Sequence, residues 1–76
     1  MEGVGFIERA TGYRRQPDLL IYEDDRPLRQ IGSIGEVNKT GTGTYAQEDG
    51  VGIILSATDN TDPRRNPYRY WVVRQQ

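Results

Sequence analysis

Apolar residues along this chain fall into short runs with a period near two, separated by turns rich in glycine and acid, which is the pattern of strands rather than long helices. Residues 3–9 predict a first strand with Val4 and Phe6 on one face and Ile7 on the other. Gly3 and Gly5 within it point to a bulge or a close backbone neighbour. Pro17 holds Gln16 extended, and the apolar run Leu19-Leu20-Ile21-Tyr22, bounded by acids, predicts a second strand. Thr44–Gln47 reads as a short strand leading to Asp49-Gly50, a favoured hairpin dipeptide. Beyond it Val51, Ile53 and Leu55 share one face and Ile54 opposes them, as suits a strand in the middle of a sheet. The last strand, Tyr68 to Arg74, alternates with Tyr68, Tyr70 and Val72 on one side and Trp71 and Val73 on the other.

Residues 24–37 break the alternation. Leu28, Ile31, Ile34 and Val37 recur every third position, and Asp24-Asp25-Arg26-Pro27 has the acids and the proline of a helix start. Against a helix stand Gly32 and Gly35, each costing about 1 kcal/mol in a helix interior. The segment is therefore expected to be a turn at 24–27 and a strand from 28 to 37 kinked near Gly32-Ser33, with a short helix as the alternative. Asn38–Gly43 reads as a loop. Ala57–Pro67 reads as a long polar connection without an apolar anchor, longer than the usual four to six residues and so either functional or mobile. Together these elements predict a single all-β domain over residues 1–76. It would be a small barrel or sandwich of about five to six short antiparallel strands, in the size range of SH3-like and OB-like barrels, with at most one short helical turn.

Composition narrows the picture. Leu, Ile, Val and Phe supply 16 of the 76 residues, close to the roughly 20% level below which chains stay disordered. The core is thin, and small domains of this kind commonly recruit a disulfide, a metal or a partner chain. With no cysteine and no histidine, disulfides and the usual zinc sets are excluded, leaving a homo-oligomer as the expected source of extra burial. No apolar run is long enough for a membrane span, and the first residues lack the form of a signal peptide. A soluble or cytoplasmic chain is the expectation.

The same absences bear on chemistry. Ser-His and Cys-His nucleophile systems are missing, as is the commonest general base. The carboxylate pairs Asp24/Asp25, Glu48/Asp49 and Asp59/Asp62 all lie in expected turns, where aspartate forms turns without any catalytic role. Asp59-Asn60-Thr61-Asp62 lacks the glycine and terminal glutamate of a calcium hand. Gly41-Thr42-Gly43 and Gly32–Gly35 lack the lysine of a phosphate loop. No enzyme activity, cofactor or metal is expected.

Binding residues are better represented. Nine of the ten basic residues are arginine, and from Pro63 onward there are four arginines and no acid. Tyr68, Arg69, Tyr70, Trp71 and Arg74 combine the three residue types most enriched at protein hot spots. They are the expected contact for a protein partner or for a second copy, acting through an exposed strand edge. Small accessory or inhibitor proteins of phages and viruses share this style of composition, an analogy of style alone. The competing class is a single-stranded nucleic-acid barrel, with stacking on the aromatic rings and phosphate contacts from Arg14, Arg15, Arg64 and Arg65. The balance of ten basic against eleven acidic residues speaks against that class.

Overall fold

The computed structural model describes residues 4–74; Gly3, placed by the sequence in the first strand, lies outside them. The elements follow in the order β1 (Val4–Arg9), β2 (Leu19–Glu23), β3 (Arg26–Pro27), β4 (Arg29–Gln30), α1 (Ile34–Thr40), β5 (Thr44–Glu48), β6 (Gly52–Ser56) and β7 (Tyr70–Arg74). They form two sheets, one of four strands in the order β1-β6-β5-β4 and one of three in the order β3-β2-β7. The radius of gyration, 11.2 Å, is that of a compact chain of this length, about 11 Å.

The apolar run at 52–55 does become the centre, but Val51, expected on the face of Ile53 and Leu55, lies half-buried in the turn before β6. Every residue of β6 is buried, and it pairs antiparallel with β1 on one side and β5 on the other. Alternation along β6 divides the interior in two. Ile53 and Leu55 join Tyr45, Leu19, Ile21, Leu28 and Tyr13 in the larger cluster, which both sheets share and against which Ile7, Tyr70 and Val72 pack. Ile54 joins Ala46 and Val37 in a smaller cluster, completed by Val4, Phe6, Ile31 and Ile34. The four-stranded sheet is thus apolar on both faces, with the second sheet over one and α1 over the other.

Alternation lets one short strand serve both clusters, with Phe6 on the helix side and Ile7 on the side of the second sheet. The register shifts between Phe6 and Glu8. Just past the shift Gly52, paired with Arg9, has φ 137, and a Cβ atom there would fall 2.0 Å from the Glu8 carbonyl oxygen. No side chain fits at that backbone approach.

The structure corrects the expectation for residues 28–37. Only Arg29–Gln30 are strand, and they pair parallel with β5, so the pairing is not wholly antiparallel. The chain then forms the seven-residue helix α1 in place of the kinked strand and of part of the expected loop at 38–43. Its start is set by Ser33-Ile34-Gly35-Glu36. The Ser33 side chain accepts from the Glu36 backbone N–H at 3.2 Å, while the Glu36 carboxylate accepts from the Gly32 N–H. This reciprocal cap offsets the cost of Gly35, since Gly32 falls outside the helix, and packing of Val37 and Ile34 against the sheet supplies the rest. At the far end Gly41 (φ 63) returns its N–H to the Val37 carbonyl. Seven strands replace the expected five to six, because Arg26–Pro27 and Arg29–Gln30 each contribute a two-residue ladder. The two sheets share a core but do not join into one closed barrel.

Candidate interaction surface

The second sheet positions Tyr70, Trp71 and Arg74 of the expected contact residues. In β2, Leu19, Ile21 and Glu23 point inward and are buried, so Leu20 and Tyr22 point outward and are half-buried. In β7, Tyr70 and Val72 pack on the core, and Trp71 and Val73 face out, 49% and 40% exposed. Register places Trp71 beside Tyr22, Val73 beside Leu20, and Pro27 on the other side of Tyr22. One outer face therefore carries Leu20, Tyr22, Pro27, Trp71 and Val73 together, with only strand geometry needed to align them. Trp71 and Val73 are the large hydrophobic residues recorded as exposed among those described.

Beneath this face lies a buried carboxylate. Glu23 is fully buried, and its oxygens accept from the Thr58 hydroxyl at 2.5 Å, the Thr58 backbone N–H at 3.1 Å and the Tyr70 hydroxyl at 2.9 Å. Arg26 stands 3.9 Å away with its own side chain largely exposed. Burial above all pushes the Tyr70 hydroxyl well above the ordinary tyrosine range; the hydrogen bond from the Asn66 amide opposes it, and the hydrogen bond to Glu23 and its charge add to the rise. A buried charge persists only when its oxygens are satisfied, and here the partners come from the long loop and from β7.

That connection is accordingly not a featureless tether. Asp59 accepts from the Thr61 N–H and hydroxyl and from the Tyr68 hydroxyl. The Asn66 amide donates to Thr61 and Tyr70, and the Asn66 carbonyl oxygen accepts from the Tyr68 N–H. Hydrogen bonds from Thr61 and then from Tyr68 hold the Asp59 carboxyl below the usual carboxylate range. The loop also has an apolar footing, with Ala57 fully buried and the Pro63 and Arg64 side chains within 3.7 Å of a Cβ at Gly5.

The predicted residues thus separate into groups. Trp71 lies on the exposed face. Tyr70 is a core and network residue, and Tyr68 is tied to Asp59 at the loop. The Arg69 backbone exchanges hydrogen bonds with Asp24, extending the β2–β7 pairing by one residue while its side chain is exposed. The Arg74 Nε donates to the Gln16 side chain, next to Arg15 in the chain. Arg14 and Arg15 are exposed on the segment before β2, anchored where Asp49 accepts from the Arg15 N–H. Arg64 and Arg65 both face Asp62, at 3.1 and 3.9 Å. Leu20, Tyr22 and Pro27 are surface residues that the sequence reading did not single out. Their signal was the run of apolar residues on both sides of 19–22, more than one buried face of a strand can use.

Other clusters are locally occupied. The Asp24, Asp49, Asp59 and Asp62 carboxylates each cap a nearby backbone N–H. Among the described residues no group of three carboxylates gathers in metal-binding fashion, and no helix is long and apolar enough to cross a membrane. No known protein family, curated protein or solved structure matches the chain.

Proposed function

We propose that this protein is a non-enzymatic binding and assembly module whose contact surface is the outer face of β2 and β7. The observation that carries the reading is the alignment of Leu20, Tyr22, Trp71 and Val73 on one side of a sheet whose other side is core. A half-exposed tryptophan in a domain with so few large apolar residues is costly to leave in water, and aromatic anchors of this kind dominate protein contacts. Single-stranded nucleic acid is the less supported occupant, because Asp62 offsets Arg64 and Arg65.

Sedimentation equilibrium from micromolar to millimolar protein, comparing the wild type with Trp71→Ser, tests the proposal. The expected result is a mass that rises with concentration in the wild type and stays monomeric in the variant, both with the same far-UV circular dichroism. A wild-type chain that is monomeric throughout removes self-assembly. Salt-dependent binding of an oligonucleotide by the wild type, abolished in Arg64→Glu/Arg65→Glu, would put nucleic acid ahead.

A further inference from the structure

Among the described residues there are four sheet-edge strands, and three of them are protected. β3 and β4 are two residues long, and β3 ends in Pro27. β1 carries a register shift and the charged pair Glu8-Arg9, and Pro63 and Arg64 lie over its Gly5. Short length, proline, bulges, charge and a covering loop are the means by which edges are kept from pairing with other chains. β7 has the least of this protection among the described residues: one charge, Arg74 at its end, and the loop residues Pro63 and Arg64 near Tyr70 at its start. It is five residues long, in regular register, without lysine or proline, and apolar at Trp71, Val72 and Val73.

Hydrogen-bond phase shows what that edge offers. The Asp24 N–H donates to the Arg69 carbonyl at 2.7 Å, and on the other side of β2 the Leu28 N–H donates to the Ile21 carbonyl at 2.8 Å. In an antiparallel ladder the bonded pairs alternate. Trp71 and Val73 therefore spend their backbone groups on β2, and the N–H and C=O groups of Tyr70, Val72 and Arg74 point to the open side. A cleft of about 210 Å³ lies between Tyr70 and the residues Gly5, Phe6, Ile7, Leu55, Pro63 and Arg64.

We propose that the occupant of this edge is a second copy of the same strand, paired antiparallel about a two-fold axis at Val72, which joins two three-stranded sheets into one of six. The proposal rests on the reading of this face as a protein contact and names its partner. β7 is complementary to itself in this register. Val72 meets Val72 of the partner subunit in a bonded pair. Trp71 meets the partner's Val73 on the outer face, and Tyr70 meets the partner's Arg74 on the inner one. No like charges are opposed, and Arg against a tyrosine ring is a favourable neighbour. The pairing completes six backbone hydrogen bonds, and the chain's net charge of −1 sets little repulsion against association.

Amide hydrogen exchange read by NMR on the wild-type chain, at a concentration below and one above the association midpoint, tests this without any substitution. The amides of Tyr70, Val72 and Arg74 should gain at least tenfold protection at the higher concentration, with Trp71 and Val73 protected at both. In a mixed sample of isotope-labelled and unlabelled chains, an intermolecular contact between the Trp71 Hα and the partner's Val73 Hα fixes the register. Association by mass with no change at Val72 overturns edge pairing and leaves the contact face standing. A chain that is monomeric at every concentration overturns both. Protection at Val72 brought about only by a different, added protein overturns the second copy as occupant.

Discussion

Replacing Glu23 by glutamine keeps its shape and removes its charge, and the structure sets the size of the effect. The amide oxygen can still accept from the Thr58 N–H and the Tyr70 hydroxyl, as Oε2 does now, while the amide NH₂ faces the Thr58 hydroxyl, which can turn to accept. All three contacts survive, but each loses a charged acceptor. Hydrogen bonds to charged groups contribute about 1.5–3 kcal/mol against about 0.5–1.5 for neutral ones. Over three contacts the loss is therefore about 3–4.5 kcal/mol, reduced because a charge no longer has to be buried. The net expectation for Glu23→Gln is a destabilisation of about 1–2 kcal/mol, or a melting temperature lower by roughly 5–15 °C in a domain of this size. Glu23→Ala leaves all three donors without the carboxylate, beside a cavity, and should cost about 3–5 kcal/mol. That is a large share of the total of about 4–11 kcal/mol expected for a chain of this length. Urea unfolding followed by far-UV circular dichroism is the appropriate assay, since the exposed Trp71 is a weak reporter of the core. A Glu23→Gln protein as stable as the wild type, or more so, would refute the argument that this carboxylate organises the loop and β7.

Three further outcomes are expected. Burial raises Tyr13, Tyr45 and Tyr70 above their ordinary value of 10.0, so the stability linked to their neutral form is full below that value and lost as pH rises through the folded-state values; thermal melts should fall in alkali, less steeply in Tyr70→Phe. Ser33→Ala removes the cap of α1 and should cost about 1 kcal/mol, seen as a lower urea midpoint with an unchanged slope. Gly52→Ala sets a methyl group against the Glu8 carbonyl and should cost about 3 kcal/mol or more, with loss of the β1–β6 cross-strand contacts in NMR spectra.

Alternation made β1, β2, β5 and β6 legible from the sequence, because each sets small or apolar residues at a period of two and is bounded by turn residues. The helix stood only as the alternative to a kinked strand, although Ser33-x-x-Glu36 carried its signal, since two glycines outweigh a cap when propensities alone are summed. Its stability comes from Val37 and Ile34 lying on a sheet built by distant parts of the chain. The long loop was read only as polar because its organiser, Glu23, is 35 positions from Thr58 in sequence. For β7, alternation separated two faces without telling which was inward. That choice depends on β2, whose Leu19 and Ile21 fix the core side and so leave Trp71 and Val73 outside.

The pairing of strands also bears on how the chain reaches this state. Arg9 must find Gly52 to close the larger sheet, and Glu23 must find Tyr70 to close the smaller one. The two closing loops overlap along the sequence, so neither sheet corresponds to a contiguous piece of chain that could form alone. Folding should then be slow for so small a domain, in the millisecond-to-second range of non-local β topologies. It should also occur in one cooperative step, with the hairpin at Asp49-Gly50 as the one β pairing among the described residues that is near in sequence and joins two full-length strands.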